Sequence, residues 1–302
     1  MDKTSIKRKY AITIGTFDGV HTGHQYLFSC LDRFAMRYLL QPRVLYFPLP
    51  PRTLLAEHAE MTVLTMPKEK EQLLKKYGMP VHALDFQRCR RLSPKAFWKQ
   101  LKERYQLGGL LIGPDFAFGK DRAGSVDFLR QQCAKENIPF EVVSFYHTGQ
   151  EKISSSLIRK TLAQGDIPAT TALLGRPYEL TGIVIKGHKL GRKLGFPTAN
   201  LDTGIYKILP LGVFAVKVRV GRTIYNGFCN IGYRPTVNTL NTSLPLVEVH
   251  IFDFNKSIYG RKITVWFIEK LRNEMKFEGL EELTAQLHLD RTQAKKLLKY
   301  YK

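Results

Sequence analysis

Apolar residues follow two different patterns along this chain. Up to about residue 150, short unbroken apolar runs alternate with longer stretches in which apolar positions recur every three or four residues. The runs predict strands over 11–14, 44–47, 81–86, 109–112 and 140–145, and the periodic stretches predict helices over 24–38, 67–77, 94–104 and 126–136. Such alternation implies a doubly wound parallel sheet that binds ligands beyond the carboxyl ends of its strands. After about residue 175, short alternating runs (178–185, 213–220, 223–228, 246–252 and 262–268) are separated by turns such as Gly221-Arg222 and Tyr259-Gly260. This spacing predicts an antiparallel barrel, closed by a terminal helix over 279–300. The fold class is therefore α/β plus all-β, with no internal repeat and no low-complexity linker. The boundary falls near Gly175-Arg176-Pro177, after two short helices, giving domains 1–175 and 176–302.

The first predicted strand runs into Gly15-Thr-Phe17-Asp18-Gly19-Val-His21-Thr-Gly23-His24. Gly15 and Gly19 permit backbone geometry closed to other residues, and a helix begins near His24. A helix N-terminus offers unpaired N–H groups to anions, and histidines spaced i, i+3 share a face, so His21 and His24 can both reach one phosphate. The same residues also fit solvated histidines beside a helix cap. A second Gly-rich loop, Gly113-Pro-Asp115-Phe-Ala-Phe118-Gly119-Lys-Asp-Arg122-Ala-Gly124, follows another apolar strand and otherwise reads as a long β–α connection.

At 302 residues and 44% hydrophobic content the chain can bury ordinary cores. It has no apolar stretch of membrane-spanning length, and residues 1–10 lack the apolar segment of a signal peptide, so a cytoplasmic location is expected. Cys30, Cys89, Cys133 and Cys229 show neither disulfide nor zinc spacing and read as buried or idle thiols. A net charge of +21 implies anionic partners, either nucleic acid or phosphorylated small molecules. The basic residues are scattered (Lys68, Lys70, Lys75, Lys76; Arg88, Arg90, Arg91; Lys186, Lys189, Arg192, Lys193), read mostly as solvated faces, and come with no nucleic-acid-reading motif.

The two halves together resemble the bifunctional prokaryotic FAD synthetases, which join an FMN adenylyltransferase domain of nucleotidyltransferase type to a riboflavin kinase barrel. The N-terminal likeness rests on the His-x-Gly-His turn, Gly113-x-Asp115-Phe116-x-Phe118-Gly119 and Ile153-Ser154-Ser155-Ser156-x-Ile158-Arg159. The C-terminal likeness rests on Gly182-x-Val184-x-x-Gly187-x-x-x-Gly191-Arg192-x-Leu194-Gly195-Phe196-Pro197-Thr198-Ala199-Asn200-Leu201, Asn230-Ile231-Gly232-x-Arg234-Pro235-Thr236, Val247-Glu248-Val249-His250, Tyr259-Gly260 and Leu271-Arg272-x-Glu274-x-Lys276-Phe277. A lone His-x-Gly-His is shared by many nucleotidyltransferases, whereas the Gly-Phe-Pro-Thr-Ala-Asn block joined to it is specific.

For the first domain, the resemblance implies ATP binding by Gly15, Phe17, Asp18, Gly19, His21, His24, Asp115, Phe118, Gly119, Arg122, Ser154, Ser155 and Arg159. His21, His24 and Arg159 would stabilise phosphoryl charge during adenylyl transfer. Helix capping is the ordinary alternative for the serines. In the second domain Val247, Val249 and Ile251 take one strand face and Glu248 and His250 the other. An acid there is commonly just solvated, and the resemblance makes Glu248 the base that deprotonates riboflavin. Gly187, Gly191, Gly195, Pro197, Thr198 and Asn200 would meet ATP in the kinase domain. Thr198 and Asn200 fall on one side of an extended segment and suit Mg²⁺, unless they form a local Asx turn. Flavin contacts are implied for Arg272, Glu274 and Phe277.

The expected ligands are ATP, riboflavin, FMN and FAD with Mg²⁺, and no nucleic acid or membrane partner; the chain would be a monomer or weak oligomer. One departure stands out. Family members commonly carry Phe-x-Pro-His-Pro after the second strand, whereas this chain reads Phe47-Pro48-Leu49-Pro50-Pro51-Arg52 and lacks the histidine. A riboflavin kinase with a weak adenylyltransferase domain is thus the nearest alternative, and a basic nucleic-acid-binding, flavin-sensing regulator is the alternative from another class.

Overall fold

The computed structural model describes residues 9–55, 62–187, 190–204, 207–233 and 245–301. Contacts divide the chain into two units at Ser155/Ser156. In the first, strand β1 (Tyr10–Gly15) leads through a turn into helix α1 (Thr22–Arg37), followed by β2 (Gln41–Tyr46), α2 (Pro51–Leu55), α3 (Pro67–Lys75), β3 (Val81–Ala83), α4 (Phe86–Cys89), α5 (Pro94–Tyr105), β4 (Leu107–Ile112), α6 (Val126–Lys135) and β5 (Phe140–Val142). The five strands are parallel in the order β3-β2-β1-β4-β5. Both faces of the sheet are covered, which is why its strands read as continuous apolar runs. Ala11 belongs to one core cluster with Phe28, Phe34 and Leu74, while Ile12 and Ile14 belong to the other with Phe97, Leu101 and Leu129. The chain moves outward from β1 to β3 and returns to β4 on the other side of β1, so the strand order reverses between β1 and β4. Ligands of doubly wound sheets bind at that place.

The 81–86 run proves to be two elements. Strand β3 ends at Ala83, and the Asp85 carboxylate accepts the Arg88 N–H at 3.2 Å to cap α4, so Phe86 opens a helix instead of closing a strand. Strand β5 ends at Val142, and a short ribbon, β6 (His147–Thr148) with β7 (Glu151–Lys152), turns at Gly149. Lys70 is not on a solvated face. It shares the inner side of α3 with Leu73 and Leu74, is fully buried, and donates to the Phe47 and Pro48 carbonyls at 3.1 and 2.9 Å.

The turn after β1 is one place where the backbone is strained. Phe17, Gly19 and Val20 all have positive φ (49°, 86° and 43°), a region that a β-branched residue such as Val20 rarely enters. Burial of the Phe17 and Val20 side chains holds it, together with Asp18. The Asp18 carboxylate accepts the Leu64 and Thr65 N–H groups and the Thr65 hydroxyl at 3.1–3.2 Å, and Gly19 N–H donates to the same hydroxyl at 3.0 Å.

The second unit opens one residue into α7 (Ser155–Gln164) and continues through α8 (Ile167–Leu174), β8 (Glu179–Ile185), α9 (Leu190–Lys193), β9 (Thr198–Asp202), β10 (Gly212–Val220), β11 (Thr223–Gly232), β12 (Leu246–Ile251), β13 (Lys262–Arg272) and α10 (Leu280–Leu298). Six antiparallel strands close a barrel in the order β10-β11-β12-β9-β8-β13. Helix α10 lies on its outer face through Ala294 and Leu298, against Phe196, Val213, Ala215, Phe228, Phe252 and Ile268. That cover explains why β10 is buried almost throughout instead of alternating. The β12 face that carries Glu248 is likewise covered around His250. Its ring packs among Phe196, Phe228 and Phe252, and its Nδ1–H donates to the Pro197 carbonyl at 2.9 Å. Strand β9, too poor in apolar residues to announce itself, is fixed by this bond and by pairing with β12 and β8. All four cysteines are free and buried; burial pushes the Cys89 thiol up to about 11, Cys133 to about 12 and Cys229 higher still.

Asp18→Ala should cost about 2–3 kcal/mol, because buried N–H donors are left unpaired. Hydrogen exchange should show the loss in β1 and β4 amides with the barrel strands unchanged; an unchanged β1 would place the restraint elsewhere. Burial lowers the His250 pKa against the raising effect of the Pro197 bond. The folded state therefore resists a proton that the unfolded chain accepts near pH 6.5, so stability is full above that pH and declines as pH falls below it. Denaturant titrations from pH 7.5 to 5 should show this slope in the barrel, and His250→Phe should flatten it.

Candidate functional sites

His21 caps α1 with its own ring: Nδ1 accepts the His24 N–H at 3.3 Å. In the neutral ring this leaves the proton on Nε2. The His21 and His24 rings stack, with centroids 3.6 Å apart and planes 19° apart, and His24 meets the Phe17 ring edge-on at 5.2 Å. The spacing therefore does bring both imidazoles onto one side of a helix N-terminus, at the carboxyl end of β1. Phe17 and Asp18 are part of the frame: the Phe17 ring packs on Gly15, where a Cβ would stand 2.7 Å away, and the Asp18 carboxylate serves the 64–65 backbone. Ser155, the last residue of the first unit, donates to the Asp18 carbonyl at 2.8 Å. Ser154 precedes α7, and Arg159 lies in its second turn, half-buried.

Beyond β4, the 113–124 loop forms one wall of a cavity of about 690 Å³ lined by aromatic and basic residues. Phe47, Phe86, Phe97, Phe116 and Phe118 supply flat apolar walls, and Arg90, Arg91, Lys120 and Arg122 supply positive charge. Gly119, at φ 75°, lets the loop pass close to the Leu92 carbonyl. Asp115 instead turns to Lys152, with Nζ to Oδ2 at 3.2 Å. Reasoning from sequence named Phe118, Gly119 and Arg122 but missed Phe47, Phe86, Arg90 and Arg91 as site residues. They come from two segments far apart in the chain, residue 47 and residues 86–91, and only the altered 47–52 segment singles out Phe47. Pro51 also lines the cavity, so that altered segment is part of its wall.

In the barrel unit a cavity of about 460 Å³ opens between the outer strand face and α10. Gly191, Thr198, Glu248, Arg272, Glu274 and Phe277, separated by up to 86 positions in the chain, line it together. Cross-strand register places Glu248 between Asn230 of β11 and Asn200 of β9, and places Thr198 beside His250. Thr198 and Asn200 share that face, as their spacing of two requires. Two neutral oxygens beside one carboxylate fit a hard cation that takes its remaining ligands from phosphate and water. Among the described residues no cluster of three His, Cys, Asp or Glu side chains offers a cage for another metal.

Gly191 contacts the Phe196 backbone closely, Gly187 lies against the Asn200 amide, and Gly195 has φ 80°. The Glu274 carboxylate occupies the space that a Cβ at Gly232 would need. Arg272 makes a bidentate pair with Asp290, Nε to Oδ1 and Nη2 to Oδ2 both at 2.8 Å, and lies over the Phe277 ring. Asp290, 1% exposed and also bonded by Gln286 at 2.8 Å, is a cavity residue that sequence reasoning missed. Arg234, Pro235 and Thr236 of the Asn-Ile-Gly motif lie outside the described residues, as does the Arg52 side chain.

Comparison with known proteins bears on both units. The family model for FAD synthetase matches residues 3–157, and that for riboflavin kinase matches 174–298. The bifunctional riboflavin kinase/FMN adenylyltransferase of Bacillus subtilis is 36% identical over 95% of this chain and 92% of its own length. That of Haemophilus influenzae is 37% identical over 94% and 93%. A crystal structure described as a macrolide-efflux protein from Streptococcus pneumoniae superposes with a TM-score of 0.84 and 29% identity, covering 95% of this chain and 94% of that one. Among the described residues of this chain no helix is long and apolar enough to cross a membrane. With both family models matched in order along one chain, and relatives above 30% identity along nearly its whole length, the chain belongs to the bifunctional riboflavin kinase/FMN adenylyltransferase family.

Proposed function

We propose that this chain converts riboflavin and ATP to FMN and ADP in the barrel unit, and FMN and ATP to FAD and pyrophosphate in the sheet unit. The observation that carries the reading is the gathering of Glu248, Thr198, Arg272, Glu274 and Phe277 around one cavity. We assign residues 1–175 to adenylylation and 176–302 to phosphorylation, and a cytoplasmic location follows from the use of ATP.

For phosphorylation, the terminal hydroxyl of riboflavin forms the new O–P bond to the γ-phosphorus, the bond from that phosphorus to the β,γ-bridging oxygen breaks, and the hydroxyl proton passes to the Glu248 carboxylate. Thr198 and Asn200 would hold Mg²⁺ beside it. When bound, the ion neutralises charge on the β- and γ-phosphates. Gly187, Gly191 and Gly195 admit the phosphates close to the backbone. Arg272 keeps donors beyond those used by Asp290 for the flavin ring, Phe277 offers an aromatic face, and Glu274 can accept from the one ring N–H of the flavin, that of its imide.

For adenylylation, an FMN phosphate oxygen bonds to the α-phosphorus of ATP and the bond to pyrophosphate breaks. Little covalent chemistry is asked of the protein, so positioning and charge stabilisation carry the step. His21 and His24 at the α1 N-terminus are the donors to the phosphates, with the Ser154 and Ser155 hydroxyls assisting. Asp18, Phe17, Gly15 and Gly19 shape this turn. The aromatic–basic cavity suits FMN itself, a flat ring system bearing a phosphate, with Arg122, Arg90 and Arg91 as its cationic side.

Two variants test the assignments independently. Glu248→Gln should lower FMN formation by about 10²-fold or more, the usual contribution of a general base, and leave adenylylation of supplied FMN near normal. A loss under about tenfold would make Glu248 a surface acid. Replacing His21 and His24 together by alanine should lower FAD formation from FMN by about 10²-fold or more. Riboflavin phosphorylation should be unaffected and serves as the check on folding; retained adenylylation would remove the histidines from the mechanism.

A further inference from the structure

We infer that Lys70 is a positioning residue for the aromatic–basic cavity: its buried ammonium clamps the Phe47 and Pro48 carbonyls and thereby fixes the Phe47 ring as the cavity wall. The inference rests on the reading of that cavity as the FMN site.

Burial of an ammonium group is costly, and an apolar side chain would fill the inner face of α3 beside Leu73 and Leu74 without that cost. What Lys70 supplies instead is hydrogen bonds, to Phe47 O at 3.1 Å and Pro48 O at 2.9 Å. The acceptors explain the need. In Phe47-Pro48-Leu49-Pro50-Pro51 three of the five residues lack an N–H, so the segment leaving β2 cannot continue a strand ladder or hold its own carbonyls. An external donor has to satisfy them, and Lys70 reaches two in succession. On its other side the same residue is held by β1, for Phe47 N–H donates to Gly15 O at 3.1 Å. Gly15 opens the turn that carries His21 and His24. The Phe47 ring thus stands at a fixed place relative to that turn, meeting Phe86 edge-on at 5.8 Å and 89°, and Pro51 follows as the next cavity residue. Lys70 does not line the cavity; it acts through Phe47.

The test measures steady-state adenylylation by Lys70→Met, Phe47→Ala and the double variant, with riboflavin phosphorylation as the control. Lys70→Met is expected to raise KM for FMN about tenfold or more, the scale of a displaced positioning group, with kcat and KM for ATP unchanged. Phe47→Ala should raise KM for FMN similarly, and the double variant should be no worse than Phe47→Ala alone, because both remove the same restraint. A fall in kcat with KM for FMN unchanged, or effects that multiply in the double variant, would overturn the inference and leave Lys70 a purely structural residue. Should Lys70→Met leave the sheet unit unfolded, Lys70→Gln, which keeps an N–H donor on a side chain one atom shorter, should raise KM for FMN by a smaller factor with kcat unchanged, and an unaltered KM for FMN would overturn the inference. Phe47→Ala with an unaltered KM for FMN would refute the cavity assignment itself and the inference with it, whereas an effective Phe47→Ala beside a neutral Lys70→Met refutes the inference alone.

Discussion

The barrel site depends on α10 staying against the end of β13, and the Arg272–Asp290 pair holds it there. A carboxylate that is 1% exposed would be strongly destabilising by itself. Here it receives two parallel bonds from one guanidinium and a third from Gln286, which satisfies it in the geometry where charge-assisted bonds are strongest. The pair joins a strand end to the middle of a helix, so the cavity lined by Glu248, Thr198 and Phe277 has a fixed lid-side wall. It also leaves Arg272 electrically matched. That suits the riboflavin proposed for this cavity, which carries no phosphate.

The sheet unit meets its task with backbone geometry instead. Three positive φ values within four residues turn the chain from β1 into α1, and those of Phe17 and Val20 lie in a region that residues other than glycine sparsely populate. The strain is offset by burial of Phe17 and Val20 and by the bonds of Asp18 to residues 64 and 65. The outcome is a pair of stacked imidazoles at a helix N-terminus, where partial positive charge already gathers.

Much of this was legible in the sequence where one physical rule acted alone. Unbroken apolar runs marked a sheet covered on both sides, and the His-x-Gly-His spacing put two rings on one side of a helix start. Thr198 and Asn200 shared a face because any strand requires it. Competition between rules hid the rest. The 81–86 run looked like one strand until Asp85 capped a helix inside it. Phe47, Phe86, Arg90 and Arg91 converge only after the sheet has formed, and no local spacing reports that. Lys70 and Asp290 share a signal that was available: each lies on the apolar stripe of its helix, with Leu73 and Leu74 in one case and Ala294 and Leu298 in the other. A charge on such a stripe has to be paired or bonded inside the protein.

On the proposed reading, two separate sites act in succession on one flavin, with FMN free to pass between molecules. Mixing the Glu248→Gln enzyme with the His21→Ala/His24→Ala enzyme tests it most directly, with riboflavin, ATP and Mg²⁺ supplied and flavins separated by chromatography. Each variant alone should make little or no FAD from riboflavin, because one lacks the first step and the other the second. The mixture should make FAD at a rate approaching that of wild-type enzyme at half the total concentration. A mixture as inactive as its components, with both variants folded, would contradict two independent sites.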